Sequence, residues 1–338
     1  MTIRAKPHVH PIDEEWLALG AEAPLGPNVD IVDSHIHLWD FSTPPYFADS
    51  YARDAQSAGI SASVFVDCTM AYDDGVPEAL APVGEVSFAR QQGESSGEGI
   101  HVAAAIVGWA DLTMGDGVDE VLIAMGKAGA GRFRGIRARA NYDPDPVAGY
   151  GAIGAPQGLM LREDFRRGVA RLQARGIVFD LYAFHTQLAE VADLARAFPD
   201  LPIVLNQFGG PLGVGPYATA REVVFDVWRA GMAEVAKCPN VVVKIGGFAI
   251  SRIAIVNVTG RDRPPSSEEV AEMCRPWVEH CLAHFGPERC LFGSNFPVDK
   301  VAMPLGTLVN AMKRLTAHWP IADQRLFFAG NARRLYRI

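Results

Sequence analysis

Short apolar runs recur along the chain, and each gives way to polar side chains within a few residues. The first, VDIVDSHIHLW at 29–39, opens with β-branched Val29, Ile31 and Val32, the pattern of a buried strand. Further strands are predicted at 62–68, 101–107 (ending in GWADL), 133–140, 177–185, 203–208, 241–247 and 290–297. Between them lie stretches with helical spacing. Leu188, Val191, Ala195 and Phe198 mark an amphipathic helix over 187–198. Others are predicted over 83–92, 162–175, 220–236 and 267–284, the last opened by a capping box of Ser266 and Glu269. Two helical segments close the chain.

Eight β runs alternating with helices define an α/β protein. Several runs are apolar without alternation, as strands covered on both faces are. The expectation is a single (β/α)8 TIM barrel with inserted loops over 29–338, preceded by an N-terminal arm over 1–28 with one short helix near 14–19. The rival, a doubly wound open sheet of the dinucleotide-binding kind, is disfavoured because no G-x-G-x-x-G follows the first run. Loops are expected at 93–99 and 141–156, and the long segment 248–265 is a candidate lid or pocket rim.

Composition narrows the function. The 338 residues are 49% hydrophobic and 21% charged, with a formal net charge of −8. That balance argues against a general binder of nucleic acid or anionic membrane, both of which need a basic face. No run of about 18 apolar residues is present, and the first residues hold no apolar core of a signal peptide. The five cysteines, at 68, 238, 274, 281 and 290, include no C-x-x-C. They suit a reducing, cytoplasmic setting. The expected partner is a small molecule, with self-association left open.

Candidate chemistry gathers at the C-terminal ends of the strands, where a barrel of this kind carries its active site. In an extended strand, residues two apart share a face, so His35 and His37 should project together with Asp33 beside them. Two imidazoles are costly to desolvate without a partner, which could be a metal, a hydrogen bond or substrate. The other strand ends supply Asp67, Asp111, Arg134, Arg137, Arg139, His185, Asn206, Gln207, Lys244, Asn295 and Asp299, with Trp39 beside the histidine pair. Alternation separates Arg134 from Arg137 and Arg139. Lys244 could be held by Asp67 or another carboxylate inside the mouth. His101, His280, His284 and His318 fall away from the rim.

The motifs VDSHIHLWD, FRGIR, FDLYAFHTQL, VLNQFGGP, VKIGG, FGSNFPVD and GNARRLYRI together resemble the amidohydrolase-related family, nearest its branch of sugar-lactone and pyrone-dicarboxylate lactonases. The resemblance runs in order from about 29 to 338. It implies hydrolysis of a small carboxylated or polyhydroxy cyclic ester by water. It also implies a metal site built from the strand-one H-x-H, histidines on strands five and six and an aspartate on strand eight. His35, His37 and His185 match that set, whereas Gln207 and Asn295 depart from it. The implied site therefore holds one divalent ion, zinc foremost, on three histidines, or no metal. The carbonyl would be polarised by that ion or by the imidazoles themselves. Arg134 or Arg137 would meet a substrate carboxylate or hydroxyls, with hydrogen bonds from Gln207 and Lys244. The base would be His185 if metal is absent, then Asp299 or Asp33. The alternatives on the same fold are a decarboxylase or hydratase, or a barrel that only binds a small acid.

Overall fold

The computed structural model describes residues 10–97, 99–151 and 154–338. The part of the arm before His10, Glu98 in the loop at 93–99, and Ala152 and Ile153 in the loop at 141–156 lie outside the described residues.

Eight parallel strands form one sheet in sequence order. They are β1 Val32–Ile36, β2 Ala62–Val66, β3 His101–Gly108, β4 Phe133–Arg139, β5 Val178–Tyr182, β6 Ile203–Leu205, β7 Val241–Ile245 and β8 Cys290–Phe292. The last strand returns to the first. His37 N–H donates to the Phe296 carbonyl and Asn295 N–H to the His35 carbonyl, each at 2.8 Å. Where β7 and β8 leave the sheet the backbones almost touch. A Cβ on Gly246 would sit 1.6 Å from the Gly293 carbonyl oxygen, so only glycine fits there.

The helices wrap the outside, as a parallel sheet buried on both faces requires. A short α1 (Glu14–Ala18) lies in the arm. Then follow α2 Ala48–Ala58, α3 Val83–Ser95, α4 Val118–Ala128, α5 Glu163–Arg175, α6 Leu188–Ala197, α7 Arg221–Ala236, α8 Ser267–Phe285, α9 Leu305–Thr316, α10 Ile321–Arg325 and α11 Asn331–Tyr336. The capping box at Ser266 is present. The arm is strapped to α9, where Thr307, Asn310 and Lys313 donate to the carbonyls of Gly20, Ala23 and Leu25 at 2.7 to 2.9 Å.

Two helices fall outside the expectations, and three rather than two close the chain. α2 buries only Ala48, Tyr51, Ala55 and Ala58, too little apolar surface to signal a helix. α4 buries Val118, Val121, Leu122 and Met125, a helical spacing present in the sequence but passed over. Conversely α3 runs to Ser95, three residues into the stretch expected to be loop.

The core has two layers. Val32, Val64, Val66, Ala105, Val107, Val178, Val204 and Leu291 fill the barrel interior, closed below by Ala329, Ala332 and Tyr336. Ile36, Phe65, Ile136, Phe179, Leu205 and Phe292 face the helices. Fully burying one such side chain stabilises by roughly 1.5–3 kcal/mol.

β1 changes face along its length, with Val32 inside and Ile36 outside. The register explains it: Asp33 pairs with Ser63, but Ile36 pairs with Phe65. Three residues of β1 therefore oppose two of β2, a bulge that reverses the alternation. Asp33 turns to the helix layer, accepting from Tyr51 Oη of α2 at 3.1 Å and from Ser294 N–H at 2.8 Å. The expectation that Asp33 shares a face with His35 and His37 is thus corrected.

Candidate active site

Past the bulge, His35 and His37 enter the mouth edge to face, ring centroids 5.0 Å apart. His37 Nδ1–H donates to the Val66 carbonyl at 2.8 Å, which leaves its Nε2 as an acceptor. Its ring stacks on Trp39 at 5.9 Å, and Trp39 on Phe41 at 5.8 Å. Paired backbone hydrogen bonds between Trp39 and Tyr46, both 2.9 Å, hold that ladder upright. His35 is different. It is 1% exposed, and neither of its ring nitrogens has a hydrogen-bond partner in the protein. Burial, then Lys244, His37 and Arg137, holds its pKa well below the usual imidazole value. Burial and then Arg137 bring His37 to about 3. Both rings are neutral at physiological pH.

β6 and β8 end in strained turns. Gln207, Phe208 and Asn295 adopt φ of 47°, 40° and 62°, left-handed values that asparagine tolerates but that are strained for glutamine and phenylalanine. Three polar groups line up there. Gln207 Nε2 donates to Asn295 Oδ1 at 2.9 Å, and Asn295 Nδ2 donates to Asp299 Oδ1 at 2.8 Å. Asp299 Oδ2 accepts from Ala249 N–H at 3.1 Å. Burial raises the Asp299 carboxyl to about 7.

The other inward-facing charges, at the mouth and beneath it, are paired. Asp67 accepts from Arg137 Nε at 2.6 Å and Arg139 Nη2 at 3.2 Å, and its carbonyl accepts from Arg137 Nη2. Lys244 Nζ is 2.5 Å from Asp180. Asp180 also accepts from Asn206 at 2.9 Å and from Tyr336 Oη at 2.8 Å. The partner of Lys244 is therefore Asp180 rather than Asp67.

Two expected site residues stand elsewhere. Arg134 lies at the opposite end of β4, donating to the Tyr336 carbonyl at 2.9 Å and to its neighbour Phe133 at 3.0 Å. It closes the barrel floor and is no substrate ligand. His185 falls after β5, in a turn. Its Nδ1 accepts from Leu212 N–H at 3.4 Å. Its ring meets Tyr217 edge-on at 5.2 Å, and Tyr217 is itself bonded to Asp143 at 2.7 Å. Burial lowers His185 to about 4. Tyr182 was overlooked. It follows Asp180 by two residues on the inward face of β5, opposite Arg139 in register, and its buried hydroxyl has no partner. Alternation from Asp180 would have found it.

A closed ring of eight parallel strands with its polar side chains at the C-terminal mouth is a (β/α)8 barrel of the enzyme type. Residues 32–338 match the Amidohydrolase family profile, and the chain belongs to that family. It is 29% identical over 336 residues to the uncharacterized protein y4mH of Sinorhizobium fredii, covering 92% of this chain and 99% of that one. It is 26% identical over 326 residues to the L-fucono-1,5-lactonase of Burkholderia multivorans, covering 91% and 96%. The L-rhamnono-gamma-lactonase of Scheffersomyces stipitis is 24% identical over 336 residues, covering 88% and 91%. Among solved structures, an amidohydrolase from Burkholderia multivorans with bound zinc superposes with a TM-score of 0.70 at 23% identity, covering 91% and 99%.

The family raises the question of a metal, and the donor set here does not fit one. Among the described residues no three His, Cys, Asp or Glu side chains gather as an ion would require. The amide oxygen of Asn295 is occupied by Gln207, and amides are poor ligands beside carboxylates.

Proposed function

We propose that the chain is a lactonase that opens a small cyclic ester by water attack at the mouth around His35, without a metal. The observation that carries this is the pair of unpartnered, buried ring nitrogens on His35, at the mouth of a barrel whose relatives include enzymes named as sugar lactonases. A buried polar atom without a partner is costly, so this position is built to receive a ligand.

A neutral imidazole can donate one N–H to the lactone carbonyl oxygen and strengthen that bond as the oxygen becomes an oxyanion. Water adds to the carbonyl carbon and gives a proton to the base. Of the buried carboxylates, Asp67 and Asp180 are tied to cations, and Asp33 faces the helix layer. Asp299 has no cationic partner among the described residues, and its pKa of about 7 suits a base at neutral pH. The ring C–O bond then breaks, and the alkoxide takes that proton to give a hydroxy acid. The acid ionises and releases one proton to solvent. His185, whose ring is committed to Leu212 and Tyr217, is set aside as the base. All five cysteines are free and buried, which supports a reducing, cytoplasmic setting. No helix among the described residues is long and apolar enough to cross a membrane.

The test is proton release from a panel of five- and six-membered lactones. Turnover should survive treatment with a chelator and rise with pH through about 7. His35→Ala should lower kcat by about 10²–10³, the usual effect of removing one oxyanion donor. Carbon dioxide release, or full turnover by the His35 variant, would refute the proposal.

A further inference from the structure

Opening a cyclic ester develops charge on two oxygens. His35 meets the carbonyl oxygen. The ring oxygen, which leaves as an alkoxide, needs a donor of its own. The mouth holds a second neutral donor suited to it. The hydroxyl of Tyr182 is buried and has no hydrogen-bond partner, and the residue is 7% exposed. Its ring is fixed, edge to face with Phe184 at 5.7 Å and packed with Ala148 and Leu212. Such a hydroxyl is costly unless a ligand completes it.

Its surroundings put it among the reacting groups. Burial raises its pKa well above the usual phenol value, and after burial the groups that act on it are Tyr150, Arg252, Arg137 and Asp299. Arg137 also acts on the His35 and His37 rings, and Asp299 is the proposed base. Arg252 donates from Nε and Nη2 to the Gly149 carbonyl, both at 3.2 Å, and lies 3.8 Å over the Tyr150 ring. Among the described residues it has no carboxylate partner. A guanidinium so placed lowers the cost of negative charge on a neighbouring phenol oxygen.

We infer that Tyr182 is a further catalytic residue, whose hydroxyl meets the ring oxygen of the lactone and protonates it as the ring C–O bond breaks. The C–O bonding pair goes to the ring oxygen, which takes the phenol proton and becomes the hydroxyl of the hydroxy acid. The phenolate then takes the proton that Asp299 removed from water. The net transfer is the one already set out, and Tyr182 ends as it began. The inference rests on the lactonase function proposed above.

The test is the dependence of rate on the leaving group. δ-Valerolactone releases an alkoxide, which is about as basic as hydroxide and leaves poorly without a proton. Dihydrocoumarin releases a phenoxide, whose acid ionises at about 10 and which leaves readily. Tyr182→Phe deletes one oxygen and keeps the ring. It should lower kcat on δ-valerolactone by about 10²–10³, within the range of general-acid catalysis, and on dihydrocoumarin by less than about threefold. His35→Ala removes the donor to the carbonyl oxygen that both esters share, so it should slow both alike.

A loss in Tyr182→Phe that is equal for the two lactones, or absent from both, overturns the inference while the lactonase function stands. So does a wild-type protein that opens dihydrocoumarin alone. A wild-type protein that opens neither lactone overturns both proposals. The melting temperature monitors folding and should be level or higher in Tyr182→Phe, because an unpaired buried hydroxyl is removed. A second measurement needs no variant. Across dihydrocoumarins with ring substituents, wild-type kcat should vary little with the acidity of the departing phenol, because protonation accompanies departure. A steep rise with that acidity would show the oxygen leaving unaided and would overturn the inference.

Discussion

The floor of the barrel and its mouth are made from the same kinds of side chain and treat them in opposite ways. On the floor, Asp180 takes bonds from Lys244, Asn206 and Tyr336, and Arg134 caps the last turn of α11. At the mouth, His35, Trp39 and Tyr182 are as deeply buried, and their ring nitrogens and hydroxyl have no hydrogen-bond partners. Paired groups of this kind hold a structure together, and unpaired ones weaken it unless something arrives to complete them. Single orphans occur elsewhere, as at Asn206 Oδ1 on the floor, but the mouth holds three such side chains.

The largest effect should come from breaking the floor. Asp180→Ala leaves Lys244 buried and uncompensated, which should cost about 3–5 kcal/mol of stability in denaturant unfolding. A loss under 1 kcal/mol would mean that the network is ornamental.

A smaller and pH-dependent effect is expected at the rim. Glu85 accepts from the N–H groups of Cys68 and Met70 through one oxygen, at 2.7 and 2.9 Å, and its other oxygen is unpaired. Burial, then Asp67, raises its pKa to about 8. The folded state thus keeps a proton that the unfolded chain releases near pH 4.5. By linkage its contribution to stability is present below that pH and is lost as pH rises to about 8. Glu85→Gln does not titrate. It should match the wild-type protein at pH 5, gain on it up to pH 8 and hold a constant lead above. Parallel stability curves would show that Glu85 is ionised throughout.

The smallest effect is expected at Arg134. Arg134→Ala removes hydrogen bonds to the Tyr336 and Phe133 carbonyls at a partly exposed site. It should cost about 1 kcal/mol and leave kcat unaltered, because it sits at the far end of the barrel from the mouth.

Much of this was legible in the sequence. Eight apolar runs between helices, with no G-x-G-x-x-G after the first, favoured the barrel over the doubly wound sheet, which is covered on both faces as well. The mouth residues Gln207, Asn295 and Asp299 were found by position alone and prove to be one hydrogen-bonded chain. What escaped depended on register. Asp33 was misplaced because a bulge adds one residue to β1, and alternation cannot see an insertion. His185 was counted into β5, but the strand stops at Tyr182, and a turn re-aims the side chain. Lys244 was expected to find a carboxylate, yet the choice of Asp180 over Asp67 depends on how strands stagger around the ring.

The most direct test is nitrogen-15 NMR of the histidine rings while a lactam, which resists hydrolysis and keeps the ring carbonyl, is added. The account predicts saturable shifts of the His35 ring nitrogens, with His185 unmoved because its Nδ1 is already taken by Leu212. Shifts confined to His185, with His35 silent, would contradict it.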